Sequence, residues 1–219
     1  QPLLALLLPA LFLAPAYAQD KHPFSVEDLV RLKRVSEPAL SPDGKTVVFS
    51  VRETDLPANR GRVDLWSLDI TVKGAQPQRL TTHPQNDNAP EWSADGRYVF
   101  FLSTRSGSSQ VWKLRGTGGE AEQVTDFPVD VGTFRLAPNG RQLAVTLEVF
   151  ADCADLACTS ERLKRTTESK SSGHAHDRIF ARHWDSWDDG RVSQLFAIVL
   201  DEQGRTSADP VAVSKALDA

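Results

Sequence analysis

The chain has 219 residues, 40% hydrophobic and 25% charged, a globular balance that excludes wholesale disorder and supplies one good-sized core or two small ones. A net charge of -4 with no basic run excludes a nucleic-acid partner, because phosphate binding needs clustered Lys and Arg.

In chain order, the first element is an apolar stretch, Gln1-Pro2-Leu3-Leu4-Ala5-Leu6-Leu7-Leu8-Pro9-Ala10-Leu11-Phe12-Leu13, which meets the small-x-small site Ala16-Tyr17-Ala18. This reads as a signal peptide over residues 1–18 without its basic start. The rival reading, a membrane anchor, needs about 20 apolar residues and does not tolerate Pro2, Pro9 and Pro15 well. The mature chain is therefore expected in the periplasm or outside the cell, with no membrane span once the signal is removed. Without an initial Met or the leader's basic residues, the sequence is expected to be a piece of a longer one.

Residues 19–37 read as a short helix and linker. Ser25-Val26-Glu27-Asp28 has the form of a capping box, and Val26, Leu29, Val30 and Lys33 fall at helical spacing. From Pro38 onward the pattern changes to β-branched and aromatic runs broken by Gly, Pro, Asn and Asp.

The informative feature is a repeat. Ser41-Pro42-Asp43-Gly44-Lys45, Ser93-Ala94-Asp95-Gly96-Arg97 and Ala137-Pro138-Asn139-Gly140-Arg141 are three versions of one hairpin turn, with Pro setting a corner, Asp or Asn bonding back to the backbone and Gly taking a positive φ. Short strands precede them, at Pro38-Ala39-Leu40, Pro90-Glu91-Trp92 and Thr133-Phe134-Arg135-Leu136. Runs apolar on both faces follow, at Thr46–Val51, Tyr98–Leu102 and Gln142–Leu147. Third strands are read at Asp64–Asp69, Gln110–Leu114 and Gln194–Val199, and fourth strands at Gln78–Thr81, Glu122–Thr125 and Val211–Ser214.

Four antiparallel strands returning with the same turn describe a propeller blade, and the spacing from Ser41 to Ser93 and from Ser93 to Ala137 is near the ~40–50 residues of propeller repeats. A β-sandwich would explain alternating strands but not the return of one order with one turn. The expected fold is all-β, a partial β-propeller over 38–219 with about three blades, at 38–84, 85–128 and 129–214. Three blades cannot close a ring, so further blades are expected downstream.

The third blade is interrupted by an insertion, residues 151–190, between its second and third strands. It holds Cys153 and Cys158, the only two cysteines. In an oxidising compartment this pair is expected to form a disulfide, and the small loop it closes is worth roughly 2 kcal/mol. Zinc held with His174 and His176 is the competing reading, on a weak ligand spacing. Further on, Arg178, Arg182, His183, Trp184, Asp185 and Trp187 mix ionic groups with large aromatics. Such a composition either locks a protruding hairpin in place or lines a recognition pocket, which makes Arg182, His183, Trp184 and Asp185 candidate substrate-binding residues. Asp185, Asp188 and Asp189 either orient a peptide ammonium group or form a solvated turn ending at Gly190.

No Gly-x-Ser-x-Gly elbow, His-Glu-x-x-His helix, phosphate loop or dinucleotide fingerprint occurs, so no catalytic residue, metal or cofactor is expected on this chain. The segment Phe24-Ser25-Val26-Glu27-Asp28-Leu29, the turn Ser41-Pro42-Asp43-Gly44-Lys45, the strand Asp64-Leu65-Trp66 and the run Asp177-Arg178-Ile179-Phe180-Ala181-Arg182-His183-Trp184-Asp185 together resemble bacterial prolyl oligopeptidase-family serine peptidases, in the dipeptidyl-peptidase and acylaminoacyl-peptidase branch. The resemblance implies a propeller that caps a C-terminal α/β-hydrolase domain of the same polypeptide and limits entry to short peptide substrates. The Ser-Asp-His triad would lie in that domain, and the chain alone would be inactive. The alternative is a non-enzymatic TolB-type periplasmic propeller that binds protein partners, since the Ser-Pro-Asp-Gly turn is shared with that group.

Overall fold

A computed structural model of the chain describes residues 22–171, 182–183 and 186–214, so the expected signal peptide lies outside the described residues. The chain divides after Arg31 into two units. In the first, α1 (Val26–Arg31) begins at a reciprocal cap: the Asp28 amide donates to Ser25 Oγ (3.2 Å), and the Ser25 amide donates to Asp28 Oδ2 (2.8 Å). These bonds hold the Asp28 carboxyl below its usual range. The helix is shorter than the spacing predicts, because Lys33 lies beyond its end and instead pairs with Glu53 (2.6 Å) over the Trp66 ring (5.2 Å).

The second unit is built from the repeat. Its first sheet is β1 (Arg34–Leu40), β2 (Thr46–Asp55), β3 (Arg60–Asp69) and β4 (Gln78–Arg79), paired in that order and antiparallel throughout. The second has the same order in β5 (Asp87–Trp92), β6 (Tyr98–Ser103), β7 (Gln110–Arg115) and β8 (Glu122–Gln123). The third uses β9 (Val131–Leu136), β10 (Gln142–Phe150), β13 (Arg191–Val199) and β14 (Val211–Ala212). Between β10 and β13 lie α2 (Leu156–Glu168) and a small hairpin of β11 (Arg182–His183) and β12 (Ser186–Trp187). Three four-stranded antiparallel sheets of one topology are a partial β-propeller.

The repeated turns close as their residues dictate. Gly44, Gly96 and Gly140 have φ of 70, 67 and 67°, and each amide donates to the carbonyl three residues back. Ser41 and Ser93 hydroxyls donate to Asp43 and Asp95 (2.6 Å each) and accept the amides of Thr46 and Tyr98 (2.9 Å each). Asp95 also accepts from the Arg97 amide (3.0 Å), and these bonds, led by Ser93, bring its pKa down to about 2.

The innermost strands begin earlier than the prolines suggest, taking in residues 34–37 that read as linker. Pro38 and Pro90 are absorbed by β-bulges between Ser36 and Ala39 and between Asn88 and Glu91. At each bulge the residue before the proline turns left-handed, Glu37 at φ 53° and Ala89 at φ 52°. The turn sends the Glu37 carboxylate across to the next sheet, where it accepts the Ala89 amide (2.8 Å) besides the Ser50 hydroxyl (2.7 Å).

The fourth strands are shorter than expected, at two residues each, because a side chain takes over the next rung. The Thr81 hydroxyl accepts the Leu65 amide (3.0 Å), Thr125 accepts the Val111 amide (2.9 Å) and Ser214 accepts the Leu195 amide (2.9 Å). Thr125 is fully buried and also donates to Gln110 Oε1 (2.8 Å), which accepts the Phe127 amide as well (3.0 Å).

Apolar packing runs sheet on sheet. Val48 and Leu65 of the first sheet meet Val99, Phe101 and Leu114 of the second, while Phe100, Leu102 and Val111 on the opposite face of the second meet Leu143, Val145, Phe196 and Ile198 of the third. β6 is accordingly buried from Val99 to Ser103. The expectation that β10 is also apolar on both faces fails: Gln142, Ala144 and Glu148 are exposed, and only the face toward the second sheet is packed.

A second helix, α2, is not read from the sequence, since it is polar overall and only Leu156, Thr159 and Leu163 mark its inward side, with Thr159 alone buried. The signal that marks it is Asp155, an N-cap whose carboxylate accepts the Cys158 amide (2.8 Å), followed by good helix formers.

Two outcomes follow for stability. Thr125→Val leaves the buried Val111 amide unpartnered and removes one of the two donors to Gln110 Oε1, so urea unfolding is expected to show a loss of about 1–3 kcal/mol, while Ser214→Ala at the exposed edge costs no more than ~1 kcal/mol. Because Asp95 titrates lower in the folded chain than in the unfolded one, its stabilising contribution is present above the unfolded carboxylate pKa and is lost as pH falls toward about 2. Thermal melts of wild type and Asp95→Asn should differ most above pH ~4 and converge toward pH ~2.

Candidate functional site

Antiparallel order puts the links between first and second strands, and between third and fourth, at one end of each sheet. The links between second and third strands, and from one sheet to the next, lie at the other end. The 151–190 insertion, joining β10 to β13, therefore shares its face with residues 56–59, 80–86, 104–109 and 124–130.

The insertion is rooted at both ends. Cys153 and Cys158 form a disulfide (Cα–Cα 5.6 Å), so neither is a thiolate ligand for zinc. The pair ties the end of β10 to the first turn of α2, one residue before the buried Thr159, whose hydroxyl accepts the Phe150 amide (3.4 Å). One turn further, Arg162 forks onto both oxygens of Asp152 (2.9 and 2.8 Å) with its guanidinium 4.3 Å from the Phe150 ring centre. This fork holds the Asp152 carboxyl below its usual range. On the returning side, Arg191 pairs with Asp189 (2.7 Å) and Glu148 (3.4 Å).

Among the candidate substrate-binding residues, Arg182 and His183 form β11, paired with Trp187 and Ser186 of β12. Trp184 and Asp185, between these strands, lie outside the described residues, as do Arg178, His174 and His176. Asp188 and Asp189 are exposed and accept the amides of Gly190 (2.8 Å) and Arg191 (3.1 Å), with Gly190 at φ 86°. These two carboxylates therefore close a solvated turn.

Sequence reasoning missed the cleft at the foot of the insertion. It measures about 840 Å³ and is lined by Phe127, Leu156 and Phe196 together with Asp126, Asp155 and Asp209, and among the described residues no Lys or Arg lines it. No sequence pattern announces it, because its walls come from the second sheet's exit loop, the insertion and the third sheet.

The same face carries two ion pairs beneath its surface. Arg105 reaches both oxygens of the fully buried Asp87 (2.8 and 2.7 Å), donates to Ser103 Oγ (2.9 Å) and lies over the rings of Trp112 (5.0 Å) and Phe101 (5.3 Å). Arg79 pairs with one oxygen of Asp64 and the Thr81 hydroxyl donates to the other (3.3 Å), yet burial pushes the Asp64 carboxyl up, with Asp87 adding to the rise. Both pairs are saturated by their own partners and serve packing. His22 contacts Asp28 and His83 the Gln85 amide, and among the described residues neither is joined to a hydroxyl as a general base would be. Likewise no group of three His, Cys, Asp or Glu is placed to hold a metal among the described residues.

Comparison with known proteins agrees with this architecture. Dipeptidyl-peptidase 5 of Porphyromonas gingivalis is 30% identical over 166 residues, covering 74% of this chain and 22% of that protein. The uncharacterized peptidase YuxL of Bacillus subtilis is 27% identical over 59% of this chain and 20% of its own length. The chain thus spans about a fifth of the curated relatives it matches. Among solved structures, the acylaminoacyl peptidase of Pyrococcus horikoshii superposes with a TM-score of 0.56 at 13% identity, over 83% of this chain and 26% of that one, which shows the fold. The resemblance to peptidase propellers thus appears in both sequence relatives and fold. The TolB β-propeller domain model (PD40) matches residues 29–172, and the chain belongs to that family.

Proposed function

We propose that this chain is the propeller portion of an exported serine exopeptidase of the dipeptidyl-peptidase or acylaminoacyl-peptidase type. In this reading it acts by restricting the approach of peptides to an α/β-hydrolase domain elsewhere in the same polypeptide. The observation that carries the reading is the insertion. A pinned helix and hairpin of forty residues are inserted into one repeat alone, at the end where the sheet-to-sheet links emerge, with a disulfide and an Arg162–Asp152 fork at the root. A fixed obstruction of this kind selects substrates by size without touching the reacting bond. The peptidase names of the relatives support the hydrolase partner, and the apolar leader supports export to the periplasm or beyond.

The chemistry on this chain is limited to orientation. A short peptide with a free amino terminus would meet the carboxylate-bearing cleft at the insertion's foot, whose lining among the described residues carries no Lys or Arg to oppose an ammonium group. Arg182 and His183 on β11 remain candidates for contacting the substrate from the insertion side. The TolB-type reading, a propeller that binds protein partners without catalysis, draws on the family model and on the turn sequence.

The purified chain should neither hydrolyse chromogenic dipeptide substrates nor be labelled by a fluorophosphonate probe, and labelling would place a reactive serine where this reading has none. In the longer polypeptide, replacing both Cys153 and Cys158 with Ser, or Arg162 with Ala, loosens the insertion's root. Turnover of a long peptide relative to a dipeptide substrate should then rise severalfold. An unchanged ratio argues against gating by the insertion, and a longer polypeptide with no peptidase activity favours the TolB-type reading.

A further inference from the structure

On the face of the first sheet that packs against the second, burial stops abruptly. Val48 and Ser50 of β2 are 0% exposed, yet Arg52, the next residue on that face, is exposed. The register explains the step. By the repeat, the pair Val51–Asp64 of the first sheet is level with Ser103–Gln110 of the second, where the ladder of β6 and β7 ends, while β2 and β3 run on together to Asp55 and Arg60. Arg52 is thus the first side chain on this face to clear the rim of the second sheet, at the end that carries the insertion.

Its cross-strand partner on β1 is Arg34, which is exposed as well. Like charges directly opposite one another on a sheet are destabilising. Nothing on the chain offsets that cost, because among the described residues neither guanidinium has an ion pair or a hydrogen-bond partner. The acids beside them are committed elsewhere. Glu37 accepts from the Ser50 hydroxyl and the Ala89 amide, Glu53 lies on the opposite face with Lys33, Asp55 pairs with Arg62 (3.1 Å), and Asp87 is held by Arg105. Arg52 is also held in position. Its guanidinium occupies the space that any side chain at 61 would fill, so Gly61 is what lets the arginine lie over β3.

We propose that Arg34 and Arg52 form a carboxylate-binding site that takes the C-terminal carboxylate of a short peptide. Guanidinium N–H groups match the two oxygens of a carboxylate, and a pair of arginines on neighbouring strands of one ladder offers such donors at fixed spacing. A bound carboxylate removes the repulsion between the two charges, which is what the chain's own acids fail to do. The site itself follows from the sheet register; that its carboxylate belongs to a peptide rests on the proposed peptidase function. A fixed doublet of positive charge separates a free C terminus from an amide or from the interior of a longer chain, and so selects short peptides.

Calorimetric titration of the purified chain, and of the longer polypeptide, with N-acetylalanine, N-acetylalaninamide and inorganic phosphate tests this. None of the three has a free amino group, so recognition of an ammonium group does not contribute. The acid is expected to bind and the amide is not. Arg34→Ala and Arg52→Ala should each weaken binding of the acid at least about tenfold. Both variants should melt no lower than the wild type, because each removes a like-charged neighbour. Arg52→Lys, which keeps the charge and loses the fork, and Gly61→Ala, which displaces the guanidinium, should weaken the acid as well. Equal binding of acid and amide overturns the proposal, as does phosphate binding more tightly than the acid, or alanine variants that bind the acid as the wild type does. Acid binding that persists in a longer polypeptide without peptidase activity upholds the carboxylate site and counts against the peptidase reading alone.

Discussion

The sheets pack face to face, and an apolar face is not satisfied until another sheet covers it. The second sheet meets this constraint fully, and its β6 strand is buried along nearly its whole length. Burying a side chain the size of Phe101, Leu114 or Leu143 is worth about 1.5–3 kcal/mol, so the stability of the second unit lies mainly between sheets and little within any one of them. A lone four-stranded sheet of this sequence would have no core. The stack also explains why one strand pattern reads differently along the chain: β6 is packed on both faces, while β10 alternates and is packed, among the described residues, on the face toward the second sheet.

Such a stack needs its polar groups settled before the faces close. Hydroxyls from Thr81 and Thr125 stand in for the last rung of each outer strand, which lets two residues do the work of four and still leaves the third-strand amides paired. Between sheets, the Glu37 carboxylate takes the Ala89 amide, the Trp92 indole donates to the Ala39 carbonyl (3.1 Å), and Glu91 accepts the Leu136 amide (3.2 Å). Burial raises the Glu91 carboxyl above its usual range, and the Leu136 amide and Arg135 only partly offset that rise. These cross-links fix the angle and height of one sheet on the next, a role that apolar contact cannot fill because it is not directional.

The insertion obeys a different logic. Its first part, through α2, buries little and is held by local devices: a short disulfide, an aspartate cap and an arginine fork set against an aromatic ring. A segment held this way can vary in sequence without disturbing the stack.

The strand order, the three turns and the repeat were legible in the sequence because each is local. A proline, an aspartate and a glycine at fixed offsets dictate a turn wherever they occur, and alternating apolar residues dictate a strand. The cap of α1 was legible for the same reason. The bulges at Pro38 and Pro90 were not, since a left-handed Glu37 is stable only with the Ala89 amide in reach, and that amide belongs to another sheet. Nor was α2, whose inward side carries only Leu156, Thr159 and Leu163 in an otherwise polar segment, too few apolar residues to announce a helix. The cleft beside it is likewise a tertiary fact. The sequence by itself determined the unit of the fold; only the packing of unit on unit decided which strands are closed over and which acids are buried.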